Sequence, residues 1–165
     1  MDATAGAPRD NSMSVGIFPP GHTLACMGAT TLLGLAGYMP MSQPRRRLDV
    51  TLLGLASAGL SLGIGFMGID LLGKEHTPVP HGYKVRRIVT KGIYEYTRNP
   101  IYIAFVGVVT SLGMVFNTWV GPLLGSYLFS VLNLFVISPE ERYLKKKFGK
   151  EYLDYKNTTP RWFLF

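Results

Sequence analysis

The 165-residue sequence predicts an all-α polytopic membrane protein, with about four transmembrane helices and a C-terminal amphipathic interfacial helix. Three observations carry this. Apolar residues gather into long runs instead of mixing with polar ones at helical or strand period. Charged residues make up only 16% of the chain and fall almost entirely between those runs. The mean hydropathy of +0.19 therefore averages two unlike kinds of segment. Finally, basic residues flank the runs. The net charge of +7 thus points to lipid headgroups and membrane topology and away from nucleic acid.

The length fits one domain. Residues 1–16 read as a flexible tail. They lack the basic start of a signal peptide and the Arg content of a mitochondrial presequence. The first apolar run, Gly21 to Met41, follows Pro19-Pro20 and carries no charge. At ~1.5 Å per residue it can cross a ~30 Å hydrocarbon layer. Small residues such as Gly28, Gly34 and Gly37 recur in it and admit a close helix neighbour. Cys26, the one cysteine, excludes an intramolecular disulfide and reads as a small apolar residue within the run.

The basic turn Arg45-Arg46-Arg47 leads into a second run, Leu48 to Leu72, whose charges, Asp49 and Asp70, lie near its ends. Gly59 and Gly63 have the spacing of a close-packing helix face. Residues 73–99 are different. Their length, six basic residues, Pro78, Pro80, Tyr83, Tyr94 and Tyr96 make this stretch too long for a turn and too rich for a linker. Asn99 and Pro100 then predict an N-cap and first helical position. A third run covers Pro100 to Phe116 and a fourth Trp119 to Ile137. Asn117-Thr118 is so short a connection that these two helices form an antiparallel hairpin, with Trp119 in the interface belt.

The rest is charged again. Glu140, Leu144, Phe148, Tyr152 and Tyr155 fall at helical spacing, with lysines around them, which predicts an interfacial helix that Gly149 bends. Pro160-Arg161-Trp162 supplies a final aromatic anchor. With four crossings, 14 of the 17 basic residues share one side, and the positive-inside rule places that side in the cytoplasm.

Two polar segments then meet at one membrane face, because the hairpin returns the chain. Asn99 to Tyr102 should lie at the depth of Ser138 to Glu141. Glu140 and Glu141 stand at the membrane boundary, where a carboxylate tends to be functional or paired. They also suit the N-terminus of the tail helix. Either could hold the ribose hydroxyls or ammonium of a nucleotide-like cofactor. Tyr94 and Tyr102 can stack on a base or face a sulfonium, or can serve in the aromatic belt. Arg98 can orient an anionic acceptor or a glutamate, or snorkel at a helix start. No residue cluster calls for a metal.

The string Val89-Thr90-Lys91-Gly92-Ile93-Tyr94, then Arg98-Asn99-Pro100-Ile101-Tyr102, a helical hairpin, Glu140-Glu141 and Phe148-Gly149-Lys150-Glu151-Tyr152 resembles the isoprenylcysteine carboxyl methyltransferase and phospholipid methyltransferase superfamily. Thr77-Pro78-Val79-Pro80 is similar to a segment of bacterial members. The resemblance covers Lys74 to Trp162 and makes residues 17–165 one membrane methyltransferase-like domain, with cofactor segments at 74–102 and 138–162. It implies S-adenosylmethionine as cofactor, held by Arg86, Arg87, Ile88, Val89, Tyr94, Asn99, Pro100, Tyr102, Glu140 and Glu141. Arg98 and Glu141 would be the catalytic residues. It also implies a lipid or lipidated acceptor entering from the bilayer. The membrane would be endoplasmic reticulum or another endomembrane in a eukaryote, and the inner membrane in a bacterium. Two positions depart from the pattern. The family most often has His where this chain has Asn99, and the prenylcysteine enzymes have Arg at the position of Val136. An Arg there suits a substrate carboxylate, so its absence weighs against carboxyl methylation. These departures motivate a rival reading, a catalytically inactive relative that serves as a subunit of a membrane protein complex. A small glutathione-using membrane enzyme fits the size and charge but gives the Gly92–Tyr102 string no role.

Overall fold

A computed structural model describes residues 18–43, 47–76, 85 and 87–163. The N-terminal tail, most of the Arg45–Arg47 turn, the Thr77–Pro80 segment and Arg86 lie outside the described residues. Four apolar helices run up and down: α1 (Pro19–Leu35), α2 (Arg47–Lys74), α3 (Pro100–Val115) and α4 (Val120–Val131). A π-helical turn, Leu132–Ile137, carries α4 without a break into α5 (Ser138–Phe148), and α6 (Lys150–Thr158) follows. There is no strand among the described residues. Two helices, Arg47–Lys74 and Val120–Phe148, are long and apolar enough to cross a membrane, and α3 is a shorter apolar helix.

The packing is inverted relative to a water-soluble bundle. On α1 and α2 the large side chains point out: Leu24, Leu32, Leu52, Leu60, Leu62 and Phe66 are all more than half exposed. The inward positions are small or hydroxylic, namely Thr23, Thr30, Gly34, Gly54, Ser61, Gly65 and Gly68. An apolar exterior over small-residue contacts is what a bilayer solvent selects. Glycine makes the α2–α3 approach close. A Cβ built on Gly54 would sit 2.7 Å from the Val115 nitrogen, and one on Gly65 would sit 2.7 Å from the Ala104 Cβ. Ser111 Oγ donates to Ser57 Oγ at 2.9 Å across the same interface. The Gly59–Gly63 pair predicted for close packing instead faces open space. The pair lies off the α3-facing side, so its spacing finds no partner among the described residues.

α1 ends six residues earlier than its apolar run. Gly37 and Met39 take left-handed backbone angles (φ 72° and 49°), which stop the helix. The freed groups then join the α3–α4 turn. Trp119 N donates to Met39 O at 2.9 Å, Met41 N donates to Asn117 O at 3.1 Å, and Thr118 Oγ1 donates to Tyr38 O. The α1–α2 connection and the α3–α4 hairpin therefore share one end of the bundle. The start of α3, the end of α2 and the whole of α5 and α6 gather at the other.

The bend expected at Gly149 is a full reversal that divides the tail into two helices. Gly149 (φ 55°, ψ −120°) occupies a conformation open to glycine, and it divides α5 from α6. The chain turns back there, so Glu141 faces inward on α5 while Tyr152 and Tyr155 are buried on α6. Trp162 is no interface anchor either. It is buried in the core cluster with Cys26, Val109, Leu128, Leu132 and Val136, its ring 4.7 Å from that of Phe129.

Candidate functional site

The site forms where the α3 start, the π turn and the folded-back tail converge. Arg98 lies one residue before the cap of α3, and its backbone N–H donates to Pro160 O at 3.0 Å. Asn99 occupies the cap position of α3, but its side chain does not cap the helix. Its Nδ2 instead donates to Arg161 O at 3.0 Å, and Thr97 Oγ1 donates to the same carbonyl at 3.0 Å. The expected N-cap is thus used to tie down the tail. Pro100 is buried against α2, 3.0 Å from where a Cβ on Gly68 would lie.

Glu141 is the hub. Arg98 Nη1 donates to its Oε1 at 2.7 Å, and Arg161 grips both oxygens, Nε to Oε1 at 2.9 Å and Nη2 to Oε2 at 2.7 Å. Lys156 Nζ adds a contact to Oε2 at 3.2 Å. The Arg98 and Glu141 side chains are 9% and 10% exposed, so this is a buried, paired charge. Arg98 also reaches Tyr152 OH at 3.1 Å. Hydrogen bonding to Glu141 raises the Arg161 pKa further above its ordinary value, so the guanidinium stays charged. Burial, then the Glu141 charge, pushes the Tyr152 phenol up.

Asn133 closes the cluster from the π turn. Its Oδ1 accepts from Arg161 Nη1 at 2.8 Å and from Trp162 Nε1 at 3.3 Å. Ser138 Oγ donates to the Asn133 carbonyl five residues back, at 2.8 Å. An extra residue in a helical turn rotates everything after it, and such turns recur at functional sites.

Beside the ion cluster lies a second group. Tyr102 OH donates to Glu140 Oε2 at 3.1 Å. Tyr94, in the 3₁₀ turn Gly92–Glu95, is buried, with its hydroxyl 3.5 Å from Gly68 O and its carbonyl accepting from Tyr155 OH at 2.8 Å. Burial, then the nearness of Tyr155 and Glu140, holds the Tyr94 phenol well above its ordinary pKa, so it remains a neutral donor. Tyr94, Tyr102 and Glu140 thus form an aromatic and acidic corner, walled by Gly68 and Pro100.

Of the residues singled out from sequence, the structure brings together Tyr94, Arg98, Asn99, Pro100, Tyr102, Glu140 and Glu141. Arg87 is turned elsewhere: its Nη2 pairs with Glu75 Oε2 at 2.9 Å near the end of α2. Ile88 is half-buried and Val89 buried, and Arg86 lies outside the described residues. Val136 is fully buried in the apolar core. Sequence reasoning missed Asn133, Tyr152, Lys156 and Arg161. Asn133 did carry a signal, as the one carboxamide in the apolar run 119–137. Within this site, Arg98 Nε is buried with no hydrogen-bond partner among the described residues.

A sequence model described as phospholipid methyltransferase matches residues 50–151, from early α2 into α6, which is more than half of the chain. No curated protein matches the sequence.

Proposed function

From the premise that the chain belongs to the phospholipid methyltransferase family, we propose that it catalyses S-adenosylmethionine-dependent methyl transfer to a lipid or lipid-modified acceptor at the membrane. The observation that carries this reading is the corner formed by Tyr94, Tyr102 and Glu140, backed by a buried ion cluster around Glu141. When bound, the cofactor supplies an activated methyl group on a sulfonium centre.

The residues fit such a cofactor in three ways. The Tyr94 and Tyr102 rings offer faces to a flat base or to a cationic sulfur. Glu140, half-buried and held by Tyr102, offers a carboxylate to an ammonium or to ribose hydroxyls. The orphaned Arg98 Nε N–H is a donor in want of an acceptor, and a cofactor carboxylate provides one. Burying an unmatched donor costs free energy, so an occupant that satisfies it gains affinity. Pro100, packed on Gly68, sets the wall between the corner and α2, while Asn99 holds the tail through the Arg161 carbonyl.

Glu141 has a different part in this reading. Three cations already engage it, so it serves as the post that fixes Arg98 and the tail, and the Arg98 Nε N–H is left without an acceptor. The protein's share of the catalysis is then orientation and exclusion of water, with no nucleophilic side chain. Four helices cross the bilayer, and the face holding α5 and α6 is cytoplasmic, as the charge bias directs. The burial of Val136 in the core leaves no cation at that position for an acceptor carboxylate, which favours a lipid-borne amine over a prenylcysteine carboxylate.

Equilibrium binding of labelled S-adenosylmethionine to the purified full-length protein tests this. Saturable binding is expected, weakened about tenfold or more by Glu140→Ala, the loss of one charge-assisted contact. Absence of binding by protein that unfolds cooperatively would overturn the proposal.

A further inference from the structure

The outer face of α5 takes no part in the site. Arg142, Lys145, Lys146 and Lys147 are exposed there, Lys150 is exposed at the start of α6, and Glu151 is the one acid among residues 142–151. Lys147 bonds the Val85 carbonyl, while Arg142, Lys145, Lys146 and Lys150 make no ion pair among the described residues. The carboxylate of Glu141, on the same helix, is turned inward and used up by Arg98, Arg161 and Lys156. The same helix carries Leu134 and Phe135 just before it, 59% and 52% exposed. Those two suit acyl chains. Ten residues separate Phe135 from Lys145, about 15 Å of helix rise, and the flexible lysine stems reach part of the way back. The cations thus begin where hydrocarbon gives way to phosphate.

We infer that this face of α5, with Lys150, is a binding surface for anionic phospholipid headgroups in the leaflet beside the candidate site. The occupant follows from charge complementarity and from continuity with the lipid-facing helix. Unneutralised lysines at that height attract net-negative headgroups and gain nothing lasting from zwitterionic ones. Juxtamembrane lysines favour an anionic headgroup by up to about fivefold each before screening. The inference rests on the bilayer-spanning part of the proposed function and not on methyl transfer.

The test is lipid selectivity of the full-length protein reconstituted in phosphatidylcholine vesicles. Trace spin-labelled phosphatidylglycerol and phosphatidylcholine are compared for occupancy of the protein boundary. A preference for phosphatidylglycerol of about threefold or more is expected at low salt, falling toward unity in about 0.5 M salt. Combined Lys145→Gln, Lys146→Gln and Lys150→Gln should abolish most of it. These side chains are exposed and make no ion pair among the described residues, so the melting temperature should move little. Equal occupancy by the two lipids in the wild type, or an undiminished preference in the triple variant, overturns the inference. Cofactor binding measured on the same vesicles separates this outcome from failure of the methyltransferase reading.

Discussion

Replacing Glu141 by Gln keeps the shape of the side chain and removes its charge. In the folded protein this strands Arg98, which is 9% exposed and has no other carboxylate among the described residues. Breaking a buried pair by removing one partner costs about 3–5 kcal/mol. The amide oxygen of Gln still accepts one hydrogen bond and gives back about 1 kcal/mol. Arg161 and Lys156 are 24% and 44% exposed on their side chains, so water screens their loss and they add little. The net expectation is a destabilisation of about 3 kcal/mol, or roughly 6–12 °C in melting temperature for a chain of this size. Thermal unfolding in detergent, followed by Trp162 emission, reads it directly, because Trp162 is buried against Phe129 and tied to Asn133. Lys156→Met is the internal control and should cost less than about 0.5 kcal/mol. If Glu141→Gln melts with the control, the ion cluster is a surface ornament and the reasoning about the tail fails.

Asn133→Leu should destabilise by about 1–2 kcal/mol, since it leaves Arg161 Nη1 and Trp162 Nε1 without their acceptor, and it should shift Trp162 emission in the folded state. Gly65→Ala should cost about 1–3 kcal/mol, because the new methyl meets the Ala104 Cβ at 2.7 Å in a tight helix contact. Gly63→Ala, two residues away on the open side, meets nothing and should be neutral or stabilise by up to about 1 kcal/mol. Melting of the pair side by side checks both, and equal effects would contradict the assigned α2–α3 face.

The apolar runs made the four apolar helices legible, and α3 begins at Pro100 as the cap signal required. The lengths were less legible. The α1 run continues to Met41, but its last residues satisfy the Asn117–Trp119 turn and not the helix. Glycine spacing misled at Gly59 and Gly63, because a spacing names a face without saying which helix meets it. Arg98, Tyr102, Glu140 and Glu141 stood out as polar residues at a membrane boundary, and the tight hairpin explains why they meet. Arg161 stayed hidden because its approach to Glu141 depends on the reversal at Gly149 and on the return of α6. The π turn was hidden too. It is a register shift of one residue, with no composition of its own.

In the proposed reaction the protein holds a methyl donor beside the bilayer and delivers the methyl group to a lipid. The direct measurement is transfer of label from methyl-labelled S-adenosylmethionine into chloroform-extractable product, using the full-length protein in vesicles that contain an aminophospholipid. Time-dependent incorporation into lipid is expected, reduced about tenfold or more by Glu140→Ala while the protein stays folded. Binding of the cofactor without incorporation into any extractable lipid, from a native lipid extract included, would contradict it.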